Sequence, residues 1–300
     1  MVDVPHVLVN GAASWNTLVR LPELPEPRPA TLFASGLDDG LGGTSAGKAV
    51  TLAALGVDVT LATLLGHDDE ADLVRTALGP HVRLLAAPAR AGRTERHLNL
   101  MADDGSRVSI YLELPAAVSP DPPAAVLETL ALADVAVLDL AESSRPLLRA
   151  ARALDVPVWC DVHDDDGTAE YPRAFADAAD VLVVSDARLP DPHAYLEARV
   201  VGGAALAVCT RGAAGAVAFD GTTWWDVPSA PVDVVDTNGA GDAFVSGLLA
   251  ATLAGRPTAD ALAWASAAGA IAVGGRDLGA PHASVQAVVE LATTIDVRPA

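Results

Sequence analysis

Short apolar runs alternate with stretches of helical periodicity along most of the chain. The apolar runs lie at residues 4–9, 57–64, 135–138, 156–161, 181–184 and 206–210. Because polar residues hardly interrupt these runs, they predict strands buried on both faces of a parallel sheet. The pattern predicts an α/β fold: a three-layer αβα sandwich with a mainly parallel central sheet.

Two segments, at residues 12–41 and 93–114, break this alternation. The second has alternating polar and apolar residues at 96–101 and 108–112, on either side of Asp103-Asp104-Gly105. That pattern predicts a hairpin with one wet face, and the two segments together predict a small β lid.

Beyond residue 215 the pattern changes again. A second hairpin is predicted at 216–227, and helices are predicted near 239–254, 258–273 and 283–294. No internal repeat or linker divides the chain. We therefore predict a single domain over residues 1–300.

Composition narrows the class of protein. Hydrophobic residues make up 51% of the 300 residues and charged residues only 19%, which excludes a disordered chain. The formal net charge of −20 disfavours partners with phosphate backbones or anionic headgroups, so neither a nucleic acid nor a membrane partner is expected. The two cysteines, Cys160 and Cys209, lack metal or disulfide spacing, and no export signal precedes the first strand. A cytoplasmic protein is expected.

The stretch Asp236-Thr237-Asn238-Gly239-Ala240-Gly241-Asp242 carries the most chemical information. It follows Val234-Val235, which we predict to be a strand, and it opens a helix. Unpaired N–H groups at a helix N-terminus suit an anion such as a phosphoryl group. A carboxylate opposes phosphate binding, so Asp242 is better explained as a base that accepts the proton of an attacking hydroxyl. A helix cap is the alternative.

This stretch resembles the C-terminal signature D-T-x-G-A-G-D of the ribokinase-like (PfkB) carbohydrate kinases, and every fixed position matches. The N-terminal signature is also similar, through Gly42-Gly43, Ala46, Ala49, Leu52, Leu55-Gly56 and Leu65-Gly66-His67-Asp68. The resemblance extends over most of the chain. It implies the ribokinase-like fold, Asp242 as catalytic base, and Gly239, Ala240 and Gly241 as the anion hole.

The resemblance also implies where a small hydroxyl-bearing acceptor binds. Asn16 stands where the family usually has a sugar-binding aspartate, with Ser14 beside it. Gly42 and Gly43 give backbone access to the acceptor hydroxyls. Further candidates are His97, Asn99 and Tyr111 on the lid, and Glu142 beyond a strand, each with an exposed surface position as its alternative.

Lys48 is the only lysine in the chain and follows Gly47, which replaces an asparagine frequent in the family. A flexible ammonium here suggests contact with a polar or acidic substrate. A solvated charge on the first turn of a helix is the alternative. Residues 42–48 also fit G-x-x-x-x-G-K, but Ala49 stands where a P-loop needs Ser or Thr, so we reject a P-loop.

The nucleotide is expected against the C-terminal half, and the resemblance implies ATP. The candidate contacts are Thr210, Arg211, Gly212, Gly215, Thr237, Gly239, Gly241 and Gly275. The resemblance also suggests K⁺ as a further cofactor, at Asp236 and Thr237 together with residues 274–284. The alternative is that Asp and Gly stand in these loops for turn formation alone.

Magnesium is implied too, yet the family's N-x-x-E element is replaced by Ser185-Asp186-Ala187-Arg188. This loss of a carboxylate leaves Asp186 as a candidate Mg²⁺ ligand. The acidic run of Asp161, Asp164, Asp165 and Asp166 is the alternative, and a weakened activity is another.

The predicted function is ATP-dependent transfer of a phosphoryl group to a hydroxyl of a small sugar or sugar-like acceptor. A nucleoside kinase of the same fold, and a catalytically weak binding or regulatory protein, remain alternatives. The resemblance also implies a homodimer formed through the lid, although edge strands can equally be protected within a monomer.

Overall fold

A computed structural model describes residues 4–300. Met1 to Asp3 lie outside the described residues. They belong to the N-terminal segment from which the absence of an export signal was predicted. The strands of the described chain are β1 His6–Asn10, β2 Ser14–Leu21, β3 Gly36–Gly42, β4 Asp58–Leu65, β5 Arg83–Pro88, β6 Arg96–Ala102, β7 Arg107–Glu113, β8 Val135–Leu138, β9 Val158–Asp161, β10 Val181–Ser185, β11 Leu206–Thr210, β12 Ala216–Phe219, β13 Trp224–Val227 and β14 Arg298–Pro299. The helices are α1 Thr44–Ala54, α2 Asp69–Leu78, α3 Ala124–Leu130, α4 Arg145–Ala153, α5 Glu170–Ala176, α6 Pro192–Val201, α7 Ala240–Leu253, α8 Thr258–Val273 and α9 Val285–Ala292.

Within residues 4–300, one central sheet contains ten strands in the order β14-β13-β12-β11-β10-β9-β8-β1-β4-β5. The strands from β11 to β5 in that order pair in parallel, and β12, β13 and β14 pair antiparallel at one edge. The mainly parallel sheet predicted from the apolar runs is confirmed. All six runs contain strands of this sheet, and the hairpin at 216–227 is its antiparallel edge.

Helices cover both faces of the sheet and form two hydrophobic cores. On β1, Val7 and Val9 contribute to one core and Leu8 to the other, because successive side chains of a strand point to opposite faces. The first core receives α1, α2, α7, α8 and α9, and the second receives α3 to α6. Both faces of β1 are therefore apolar, which explains why the sequence shows a continuous apolar run there.

Two details of the strand prediction need correction. The predicted strand at Val234-Val235 is wrong, because this segment is a loop whose Val235 N–H donates to the carbonyl of Val273 at 2.7 Å. The sequence analysis also missed β5, whose residues are mostly half-buried at the edge beside β4. An edge strand has a less apolar pattern than a central one, which explains the omission.

A second sheet, in the order β3-β2-β6-β7, forms the small β lid from the two segments that break the alternation. Strands β2 and β6 pair in parallel, and the flanking pairs are antiparallel. The β6–β7 hairpin is the one predicted around residues 103–105. The assignment of all 300 residues to one domain stays a prediction.

In residues 4–300, no helix combines the length and the apolarity needed to cross a membrane. Cys160 and Cys209 are buried as free thiols.

Candidate active site

A cleft of about 2800 Å³ lies between the lid and the carboxyl ends of the parallel strands. Its walls include Asn16 and His97 of the lid, Asp161 at the end of β9, and the loop before α7. Ligands of open α/β sheets bind outside the carboxyl ends of the strands, where loops and helix N-termini converge. The cleft is therefore the candidate active site.

The loop before α7 presents backbone amides to this cleft. Gly239 has a left-handed φ of 77°, and a Cβ there would lie 2.3 Å from the amide nitrogen of Gly279, so the position requires glycine. In the described part of the chain, the amides of Gly239, Gly241 and Asp242 donate to no backbone carbonyl. The Ala240 amide, predicted to belong to the anion hole, instead donates to the carbonyl of Thr237 at 3.4 Å. Free amides at the positive end of a helix dipole form an anion site.

Asp242 lies in the first turn of α7, at the edge of this amide cluster, and its side chain is 11% exposed. Its Oδ1 accepts hydrogen bonds from Lys48 Nζ at 2.9 Å and from the Thr44 hydroxyl. Its Oδ2 accepts no hydrogen bond from the residues that the structure describes. One carboxylate oxygen is thus fixed, while the other is available to a ligand in the cleft.

The Lys48 ammonium is buried among three carboxylates. Besides Asp242, its Nζ lies 3.0 Å from Asp139 Oδ1 and 3.2 Å from Asp161 Oδ2, and it donates to Thr44 Oγ1 at 2.5 Å. Lys48 has no exposed surface. The alternative of a solvated charge is therefore wrong, and the ammonium is closed off from an acceptor in the cleft.

Gly47 explains how helix α1 comes close enough for this contact. A Cβ at Gly47 would lie 2.8 Å from Asp242 Oδ2 and 3.1 Å from Asp242 Cβ. Any larger residue, including the asparagine frequent in the resembling family, would displace the Asp242 carboxylate. The two departures at positions 47 and 48 therefore form one structural feature. Gly47 leaves space for the Asp242 carboxylate, and Lys48 forms an ion pair with it.

The pKa values of Asp242 and Lys48 are both raised, but for different reasons. Burial raises the pKa of Asp242 above that of an ordinary aspartate, although the Lys48 charge and the Thr44 hydrogen bond oppose it. Burial alone would lower the pKa of Lys48, but Asp139, Asp242 and Asp161 outweigh it and hold that pKa well above the usual value. Lys48 therefore stays charged at physiological pH.

Asp161 responds differently from Asp242. Burial would raise its pKa, but His163, Lys48 and the His163 amide together lower it. The His163 ring lies 3.5 Å from the carboxylate. Of Asp242 and Asp161, Asp242 is thus the carboxylate that takes up a proton more readily.

The acceptor candidates on the lid form a buried polar surface. Asn16 Oδ1 accepts from the His97 amide at 3.1 Å, and the His97 ring contacts Glu95 Oε1 at 2.8 Å. Asn99 is also buried, whereas Tyr111 is 62% exposed and packs its ring 4.0 Å from that of His97. The exposed-strand alternative is therefore wrong for His97 and Asn99 and holds for Tyr111.

The remaining acceptor candidates differ in their access to the cleft. Gly43 lines it, while Ser14 and Gly42 are buried against each other behind it. Glu142 borders the cleft with a side chain that is 76% exposed and lies 3.7 Å from Arg145. This exposure fits the alternative interpretation of Glu142, a surface residue at the start of a helix.

On the opposite side of the cleft lie several nucleotide candidates. Those that line it are Thr210, Gly212, Gly215, Thr237, Gly239 and Gly241. Arg211 does not, because its guanidinium is held by Asp226 Oδ1 at 2.9 Å and by the carbonyl of Ala216 at 3.1 Å. Gly275 lies outside the lining as well.

The candidate magnesium ligands are dispersed or already paired. In residues 4–300, no three carboxylate, histidine or cysteine side chains are arranged to hold a metal ion. Asp186 is exposed, and Arg188, which replaces the family's glutamate, pairs with Asp166 at 3.2 Å and Asp164 at 3.6 Å. Asp165 accepts from the Tyr195 hydroxyl. These residues do not fit a magnesium site built by the protein.

Sequence reasoning missed Asp139, Glu95 and Arg20, and gave Asp161 only a metal-binding role. Asp139 and Asp161 follow or end buried parallel strands, a position that could have marked them for the strand-end cleft. Glu95 and Arg20 gave no such signal, because their partners are brought near only by the folded lid.

Comparison with known proteins adds to this geometry. Residues 6–284 match the model described as pfkB family carbohydrate kinase. The chain is similar to the acarbose 7(IV)-phosphotransferase of an Actinoplanes species, with 35% identity over 91% of this chain and 93% of that protein. It is also similar to an ATP-dependent ribose-1-phosphate kinase of Halopiger xanaduensis, with 31% identity over 90% of this chain and 92% of the relative.

Among solved structures, the chain is similar to the microbiome-derived acarbose kinase Mak1. The TM-score is 0.85 and the identity 26%, over 97% of this chain and 99% of that chain. The likeness therefore extends over both sheets and the cleft between them.

Removal of the buried ammonium tests the lysine cluster. In Lys48→Met, three carboxylates stay buried without their cation, so we expect the free energy of unfolding to fall by about 3–5 kcal/mol at neutral pH. Those carboxylates then have raised pKa values in the folded state and bind protons that the unfolded state does not. The deficit should therefore shrink as the pH falls toward 5. Urea unfolding at several pH values measures both effects.

Arg298→Met is the control, because Arg298 pairs with Asp296 on the surface. Arg298→Met should unfold at nearly the wild-type urea concentration at every pH, because an exposed ion pair contributes little to stability. A deficit in Lys48→Met that is as small as that of Arg298→Met, or that does not depend on pH, would contradict the electrostatic role of Lys48.

Proposed function

The chain belongs to the pfkB family of carbohydrate kinases, and we propose that it transfers the γ-phosphoryl group of ATP to a hydroxyl of an unphosphorylated, oligosaccharide-sized sugar. The observation that carries this proposal is the Asp242 carboxylate, with Oδ1 fixed by Lys48 and Oδ2 available beside the free amides before α7.

In this mechanism, Asp242 Oδ2 accepts the proton of the attacking sugar hydroxyl. A base within hydrogen-bond reach of the hydroxyl raises its nucleophilicity as the oxygen–phosphorus bond forms. Lys48 and Thr44 hold the carboxylate in one orientation, because both act on Oδ1. Preorganisation of this kind lowers the barrier, since the group does not have to reorient during transfer.

The amides of Gly239, Gly241 and Asp242 act on the phosphoryl group. Charge develops on its oxygens during transfer, and preorganised N–H donors at a helix N-terminus stabilise it. The bond between the γ-phosphorus and the bridging oxygen of ATP breaks, so that ADP leaves and the phosphoryl group stays on the sugar. Ser266, Gly269 and Ala270 line the cleft and are small, so they leave space for the adenine ring.

In this proposal the nucleotide phosphates would hold the Mg²⁺, and the protein would supply few of its ligands. Mg²⁺ commonly keeps several waters and binds to nucleotide phosphates with few protein ligands, where it neutralises their charge. That mode agrees with the paired state of Asp164, Asp165 and Asp166 and with the loss of the N-x-x-E element.

The acceptor surface favours hydroxyl groups over phosphate. Its buried polar groups are the amides of Asn16 and Asn99, the Glu95 carboxylate and the His97 ring, and the nearby Lys48 has no exposed surface. The cleft of about 2800 Å³ has to hold the nucleotide as well as the acceptor. Similarity to two acarbose kinases supports an acceptor larger than a monosaccharide.

The first test is ADP release with MgATP across a panel of acarbose, maltotetraose, ribose, ribose 1-phosphate, fructoselysine and adenosine. We expect turnover with acarbose or maltotetraose. Asp242→Asn should lower kcat by a factor of about 10²–10⁴, the usual contribution of a general base. The wild-type kcat/KM should fall in acid as Asp242 becomes protonated, at a higher pH than for an exposed aspartate.

Asp260→Asn is the matched control, because Asp260 occupies the first turn of α8 as an exposed residue. It should keep wild-type turnover. Equal activity of wild type and Asp242→Asn would leave Asp242 only as a structural partner of Lys48 and Thr44 and not as a base or a helix cap. Turnover restricted to ribose 1-phosphate or adenosine would disprove the acceptor class. ATP binding without turnover on any acceptor would favour a binding protein.

We further propose that the chain forms a homodimer through the lid. Strand β7 is an edge of the lid, and its Val108, Ile110 and Leu112 are each two-fifths or more exposed. Leu98 and Leu100 lie opposite Ile110 and Val108 on the same face. An exposed apolar edge strand of this kind pairs readily with another strand.

Light scattering on the wild-type protein at micromolar concentration should give twice the chain mass of 30.5 kDa. Ile110→Asp should give the mass of one chain, because a charge on this face would have to be desolvated in the dimer. Leu132→Asp, at a 78% exposed position after α3, is the control and should stay dimeric. A wild-type mass of one chain would refute the proposal.

A further inference from the structure

The Asp236 carboxylate, at the start of the loop before α7, is fully occupied by the protein's own groups. Oδ1 accepts from the Asn238 amide at 2.9 Å, and Oδ2 accepts from Arg20 Nη2 at 3.1 Å. Its side chain is only 2% exposed. A buried carboxylate needs a compensating charge, and Arg20 supplies it here.

Arg20 comes from the lid, at a distance of 216 residues along the chain. Its Nε also donates to Asp38 Oδ2 on β3 at 3.0 Å, so one guanidinium joins two lid strands to the loop. A second lid arginine, Arg107 of β7, donates to Asn238 Oδ1 at 2.9 Å. The loop that carries the anion site is thus held from the lid by two cations.

The same place was predicted to hold a monovalent cation, through Asp236 and Thr237. The residues do not fit such an ion. The guanidinium already neutralises the carboxylate, and a second cation on Asp236 would lie close to it and be repelled. A cavity of about 400 Å³ beside Arg20 and Asn238 is lined by Arg276 and also by Asp38, Asp39 and Asp277, so it is the pairing of Asp236 with Arg20 that disfavours an ion.

We propose that Arg20 takes the place of the monovalent cation and fixes the Asp236 loop, so that this kinase works without K⁺. The guanidinium is a permanent charge that forms directed hydrogen bonds. By holding Asp236, it orients the residues up to Gly241 and positions their free amides for the phosphoryl group. Arg20 is therefore a positioning residue. The inference rests on the proposed function only for its activity readout.

The test compares wild type, Arg20→Met and the control Arg28→Met in 100 mM KCl and in 100 mM choline chloride. Arg28 pairs with Glu26 in an exposed loop, which makes it a matched arginine without this role. Two readouts are used: the dissociation constant for ADP by calorimetry, and MgATP-dependent transfer to the best acceptor. The first needs no turnover, so it decides the inference even where the acceptor panel fails.

We expect wild type and Arg28→Met to differ by less than twofold between the two salts. Arg20→Met in choline should bind ADP at least tenfold more weakly, and KCl, NH₄Cl or 20 mM guanidinium chloride should restore most of that affinity. Arg20→Gln takes the place of Arg20→Met in the same measurements if the Met variant does not fold.

Three results would overturn the inference. One is a wild-type protein whose ADP affinity or turnover rises fivefold or more with K⁺. Another is an Arg20→Met variant that behaves like Arg28→Met. The third is a loss in Arg20→Met that no cation restores, which would mean that Arg20 has only a structural role.

Discussion

The active site depends on one buried ammonium. Lys48 connects Asp139 after β8, Asp161 at the end of β9 and Asp242 at the start of α7, so it joins two central strands to the helix that presents the anion site. Three carboxylates this close would repel one another without it. Their attraction for Lys48 is strong because no water screens it, and the cost of its desolvation is met by four partners at 3.2 Å or less.

Two departures from the family pattern follow from this interaction. Gly47 gives helix α1 the space to approach Asp242, and Lys48 then uses that approach. On the other side of the anion loop, Arg20 neutralises the buried Asp236 carboxylate. In both places a side chain of the protein supplies the compensating charge and gives it a fixed position.

Particular residues show how far sequence reasoning reached. The apolar runs predicted the parallel sheet, and the D-T-x-G-A-G-D match predicted the family; both are confirmed. The interpretation of Lys48 as a solvated charge was wrong, because an amphipathic pattern does not tell whether a lysine on a helix finds carboxylates beneath it. For His97 and Asn99 the pattern alone favoured exposed positions, which was wrong, since either face of a lid strand can cover the cleft.

Local patterns by themselves determined six strands of the parallel sheet, the hairpins, the three C-terminal helices and the glycine-rich loop, because periodicity and glycine conformation act over a few residues. Tertiary structure decided which charges meet. Lys48 is 194 residues from Asp242, and Arg20 is 216 residues from Asp236. No spacing in the chain encodes such pairs, because they form only when the lid and helix α1 dock against the loop before α7 and exclude water from the carboxylates.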